Sequence, residues 1–79
     1  MSNVDNIQKS VSKMLVELFD VPADKIHSEL EFNDLENWDS LTQVRFIVAL
    51  ENEFNHQFKD SEISKLKTLG GCVHLLTNR

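Results

Sequence analysis

Residues 38–54 read Trp38-Asp39-Ser40-Leu41-Thr42-Gln43-Val44-Arg45-Phe46-Ile47-Val48-Ala49-Leu50-Glu51-Asn52-Glu53-Phe54. At roughly 100° per residue, Phe46, Ile47, Leu50 and Phe54 gather on one side of a helix. Leu41, Val44 and Val48 gather on a second side roughly 130° away. The spacing predicts a helix over 40–55. Its first stripe is wide enough to serve the core of a small helical bundle, and its second stripe is surplus to that need. Two readings of the surplus fit: neighbouring helices and loops bury it, or it forms a docking ridge for another protein.

Working toward the N-terminus, residues 20–39 read as a long connection with one short turn near Ala23 to Ile26. Val21, Ile26, Leu30, Phe32, Leu35 and Trp38 are spaced irregularly and are expected to pin this connection to the bundle. Such length is unusual in a small domain and often accompanies function. Residues 29–39 hold Glu29, Glu31, Asp34, Glu36 and Asp39 and no Lys or Arg. This cluster suits either a solvated loop or a partner-binding surface. Further back, Val4, Ile7, Val11, Met14, Leu15, Leu18 and Phe19 recur in steps of three and four, which predicts a first helix over 4–19. Ser2 with Asp5 fits a capping box at its start, and Pro22 blocks extension beyond its end.

Toward the C-terminus, Asp60 to Lys65 reads as a short helix capped by Asp60 or Ser61. Thr68 can cap a last helix that sets Leu69, Cys72, Val73 and Leu76 on one face. Gly70 and Gly71 weaken that helix by propensity but permit close packing. The expected architecture is an all-α bundle of three main helices plus a short one.

Composition narrows the function. A chain of 79 residues buries roughly 63% of the surface its unfolded form exposes, enough for one small core and little room for a deep catalytic cleft. Thirteen acids against eight bases give a net charge of −5. That sign is wrong for displacing counterions from a nucleic acid, so no nucleic-acid partner is expected. The one cysteine allows no intrachain disulfide. The N-terminus lacks a signal-peptide pattern, and no run approaches the ~20 apolar residues that span a bilayer. A reducing cytoplasm is the expected setting, without membrane insertion. His27, His56 and His74 are scattered without ligand spacing and are expected on the surface, so no metal site is expected. Asn33-Asp34-Leu35-Glu36 lacks the glycine and terminal glutamate of a calcium loop. Cys72 reads as a packed thiol and Trp38 as an anchor for the end of the loop.

Ser40 carries two readings. With Gln43 it fits the spacing of a capping box, although Asp39 can itself be the N-cap. Alternatively, its hydroxyl sits where free backbone N–H groups and a partial positive charge suit a phosphate.

Asp39-Ser40-Leu41, followed by Val44, Ala49-Leu50-Glu51 and Glu53-Phe54, resembles the acyl carrier protein family. The likeness covers almost the whole chain, including the amphipathic first helix, the long acidic loop and the segment Lys65-Leu66-Lys67-Thr68-Leu69. It implies a four-helix bundle with a long first loop, forming a single acyl carrier domain over residues 1–79. Ser40 would be esterified by 4′-phosphopantetheine, whose terminal thiol would carry an acyl or aminoacyl group as a thioester. Asp39 matches the family's acid before the serine, which helps position metal and cofactor during attachment. Leu41, Val44 and Val48, flanked by Arg45 and Glu36, would form the partner-docking surface. The implied partners are a phosphopantetheinyl transferase and acyl-loading and acyl-processing enzymes, and the expected state is a monomer. No His or Lys neighbours Ser40 in sequence to activate it, so the chain is expected to be a substrate and carrier with no catalysis of its own. A cofactor-free helical interaction module is the competing reading.

Thr42 and Arg45 stand where many fatty-acid carriers have acids, and Trp38 stands where a small residue is common. The resemblance therefore points to a discrete carrier in a specialised lipid, polyketide, polysaccharide or aminoacyl pathway. The rings of Phe46, Phe54 and Phe58 predict poor sequestration of long acyl chains.

Overall fold

The computed structural model describes residues 3–78. Four α-helices follow in order: α1 (Asn3–Phe19), α2 (Ser40–Phe54), α3 (Asp60–Ile63) and α4 (Leu69–Thr77). The apolar stripe of α1 buries Ile7, Val11, Met14 and Leu15, mainly against α4, with α2 crossing beside them. From α4 the predicted face of Leu69, Cys72, Val73 and Leu76 is buried in full, and from α2 Phe46, Ile47 and Leu50. Complete burial of such side chains contributes about 1.5–3 kcal/mol each in transfer free energy.

The helix ends follow local chemistry. Asp20 takes a left-handed backbone (φ 56°), and the Val21 N–H donates to the Leu15 carbonyl at 3.0 Å, closing α1 just before Pro22. Asn55 ends α2 in the same way, at φ 50°. Asp and Asn are the non-glycine residues that best tolerate this region. Thr68 caps α4, its Oγ1 accepting from the Gly71 N–H at 3.0 Å, as expected.

The long connection is pinned as its apolar residues predict. Val21, Leu30 and Phe32 are buried, while Ile26, Leu35 and Trp38 pack partly against the core. It carries the expected short turn at Ala23–Lys25 and a second, unexpected 3-10 turn at Phe32–Asp34. Its backbone docks on the segment before α4. Phe32 N–H donates to the Lys67 carbonyl and Leu69 N–H to that of Leu30, both at 3.0 Å. Gly70 N–H donates to the Ser28 carbonyl at 2.8 Å. A Cβ on Gly70 would lie 2.8 Å from that same oxygen, so this approach requires glycine at position 70.

Three expectations need correction. Leu18 is exposed rather than part of the buried stripe, because Met14 and Leu15 already face the core at that end of α1. The cap of α3 is Lys59, not Asp60 or Ser61. There the Glu62 carboxylate reaches back to accept from the Lys59 N–H at 2.9 Å, and an acid three residues into a helix suits that return contact. The helix itself ends at Ile63, short of Lys65. The Ser2–Asp5 capping box and the Val4 side chain lie outside the described residues. No helix among the described residues is long and apolar enough to cross a membrane.

Candidate functional site

Asn37, with φ at 66°, turns the chain sharply just before α2. Trp38 then sits inward and half-buried, while Asp39 and Ser40 emerge at the surface. Asp39 is the N-cap. Its Oδ1 accepts from the Thr42 N–H and from the Thr42 hydroxyl, both at 2.8 Å. These bonds, the backbone one first, hold the Asp39 carboxyl below the usual carboxylate value. Thr42 thus supplies both hydrogen bonds that hold the Asp39 carboxylate in its capping position.

The capping box between Ser40 and Gln43 does not form. Asp39 occupies the capping role, which frees the Ser40 hydroxyl, and no hydrogen bond within the described residues engages it. Ser40 is the first residue of α2 and is exposed. The N–H groups of Ser40 and Leu41 lack acceptors among the described residues, as the geometry of a helix start dictates. A phosphodiester on this hydroxyl would sit beside unpaired donors and the positive end of the helix dipole.

Gln43 instead makes a contact that local spacing does not reveal. Its Oε1 accepts from Trp38 Nε1–H at 2.8 Å, and its Nε2 donates to the Leu66 carbonyl at 2.9 Å. Trp38 is anchored as predicted. It stacks on Phe32 (centroids 5.1 Å apart, planes at 19°) and meets Phe46 edge-on at 5.6 Å and Phe19 at 5.8 Å.

An open groove of about 590 Å³ runs past Ser40 between α2 and α3. Trp38, Val44, Ile47, Ile63 and Leu66 give it an apolar floor, and Asn33, Ser64 and Lys67 a polar rim. A flexible arm of mixed polarity tethered at Ser40 fits this lining. The exposed serine, the free N–H donors and the adjacent groove thus accommodate 4′-phosphopantetheine.

The surplus stripe on α2 is exposed: Leu41 by 59%, Val44 by 56% and Val48 by 47%. Arg45 lies on the exposed side of the same helix. Glu36 is exposed in the preceding loop, at the mouth of a separate cleft of about 500 Å³ shared with Trp38 and Thr42.

The histidines divide. His27 and His74 are exposed, but His56 is half-buried. Its ring meets Phe58 edge-on at 4.9 Å, and its Nε2 is buried without a hydrogen bond, 3.9 Å from Glu62 Oε1. This corrects the expectation of a surface histidine. The left-handed end of α2 folds residue 56 back toward Phe58, a reversal that no residue spacing announces. No group of three or more His, Cys, Asp or Glu among the described residues is arranged to hold a metal ion. Cys72 is buried, and desolvation pushes its thiol pKa up to about 12.

Comparison with known proteins agrees with this arrangement. Residues 9–76 match the family model described as phosphopantetheine attachment site. The acyl carrier protein of Buchnera aphidicola subsp. Acyrthosiphon pisum (strain 5A) is 32% identical over 74 residues, covering 94% of this chain and 92% of the relative. That of strain Tuc7 is 36% identical over the same coverage. A solved structure of the acyl carrier protein from Enterococcus faecalis superposes with a TM-score of 0.78 at 28% identity, over 99% of this chain and 98% of that one. With fold and sequence matched almost end to end, this chain belongs to the acyl carrier protein family and is a carrier with covalently attached 4′-phosphopantetheine.

Proposed function

We propose that Ser40 is the attachment residue and that residues 1–79 act as a single carrier domain, delivering an acyl or aminoacyl group between enzymes. The observation that carries this reading is the exposed, unengaged Ser40 hydroxyl at the first turn of α2. When attached, the arm supplies a terminal thiol able to hold the cargo as a thioester. The chain's own residues would hold the arm's root: the backbone N–H groups at the start of α2 would donate to the phosphodiester, and Asp39, matching the acid before the serine in the resembled family, would help position cofactor and metal during attachment. No His or Lys adjoins Ser40 in sequence, and the Asp39 carboxylate is engaged by Thr42 as the helix cap, so activation falls to a phosphopantetheinyl transferase and the chain acts as its substrate.

Leu41, Val44 and Val48, with Arg45 and Glu36 at their margins, form the surface that acyl-loading and acyl-processing enzymes meet. Brief contacts steered by charge suit a shuttle that must also leave. Thr42 and Arg45 reduce the negative charge of this face, which supports a dedicated carrier in a specialised lipid, polyketide or related pathway. Its proposed setting is a reducing cytoplasm, as a monomer.

Intact mass after incubation with coenzyme A and a broad-specificity phosphopantetheinyl transferase tests the assignment. The wild type gains one phosphopantetheine and Ser40→Ala gains none. Because Asp39 provides the cap, Ser40→Ala retains its stability, which makes it a clean control. A mass gain that persists in Ser40→Ala overturns the assignment.

A further inference from the structure

A long saturated chain tethered at Ser40 would expose apolar surface to water unless the bundle admits it. The direct way inward from the groove lies between α2 and the segments around Phe32 and Leu66, and there the structure is closed. The half-buried Gln43 amide spans the gap, bound on one side to Trp38 Nε1 and on the other to the Leu66 carbonyl. Beneath this strap, Trp38 stacks on fully buried Phe32, and both rings abut fully buried Phe46, with centroids at 5.0–5.6 Å. Phe19 closes the far side against Trp38 and Phe46 at 5.8 and 5.7 Å. Admitting a chain would break both bonds of a half-buried amide and part a set of mutually packed rings. Phe54, by contrast, lies at the opposite end of α2, about 21 Å along the helix from Ser40, too far to guard the entrance.

The geometry points to Trp38 and Gln43 as specificity-determining residues that bar the cargo from the core, so that this carrier holds short or polar acyl groups in the open groove and does not store long saturated chains. The inference rests on the assignment of Ser40 above. Asn33, Ser64 and Lys67 on the rim supply partners for a polar cargo that a bundle interior would lack.

The test loads Ser40 with a series from butyryl to dodecanoyl phosphopantetheine. For each member, melting temperature and the emission of Trp38, the chain's one tryptophan, are compared with the unacylated holo form. Intact mass is read first, so a failure of attachment at Ser40 is distinguished from a failure of this inference. The expected result is a melting temperature that does not rise with chain length and an unchanged Trp38 emission maximum. In Gln43→Ala, which unhooks the strap while leaving the rings, and in Trp38→Ala, the melting temperature rises with chain length relative to each variant's own holo form. If Trp38→Ala fails to fold, the wild-type series and Gln43→Ala decide. A wild-type melting temperature that climbs with chain length, or a Trp38 emission that shifts as the chain grows, overturns the proposal.

Discussion

The two faces of α2 are built from the same kinds of side chain and do opposite things. Phe46, Ile47 and Leu50 lock the helix into the core, whereas Leu41, Val44 and Val48 stand in solvent. Residue type does not separate them; position around the helix and the number of available neighbours do. Within the described residues, α1 and the long connection pack against one side of α2, and the other side is left exposed. An apolar row that the fold does not bury is available to partners.

The sharpest way to break this comparison is to truncate one residue on the inner face. Phe46 touches Phe19, Phe32 and Trp38, and Phe46→Ala should lower the unfolding free energy by about 3–5 kcal/mol in denaturant titrations. A loss below about 1 kcal/mol would mean the aromatic cluster is looser than its geometry. A second, smaller effect concerns Cys72. Its folded pKa of about 12 lies above the ordinary thiol value of 9.0, so the thiol stays protonated in the fold while the unfolded chain ionises. Stability is therefore retained below pH 9 and declines as pH rises toward 12. Equilibrium unfolding between those values should show this slope in the wild type, and its absence in Cys72→Ala identifies the group responsible. The smallest stability effect belongs to the outer face. Val44→Asp should change the unfolding free energy by no more than about 0.5 kcal/mol, while weakening the kinetics of acyl transfer with partner enzymes. A large drop in stability would show that the ridge is part of the core.

Much of this was legible in advance, because helical periodicity and capping chemistry are local. The stripes of α1 and α4 and the Thr68 cap follow from neighbours within four or five residues. The choice between Asp39 and Ser40 as cap was not legible, since adjacent residues with equal competence compete and only the turn at Asn37 decides. Nor was the role of Gln43, whose partner Leu66 lies 23 positions away. His56 and the second turn at Phe32–Asp34 depend likewise on how distant segments close over one another. At the candidate site, the resemblance singled out Ser40 and Asp39, but the strap and rings beneath them emerge only in three dimensions.

The burial of Cys72 bears on the loaded carrier. It is the chain's one cysteine, and it is enclosed by the packing of α4. With Cys72 buried, the thiol that a reagent or a neighbouring molecule reaches in the holo protein is then the one at the tip of the arm. Cargo cannot migrate onto the polypeptide by thioester exchange, nor can the arm oxidise onto its own backbone partner. Every such reaction must involve a second molecule, and alkylation of the native protein counts free arms directly.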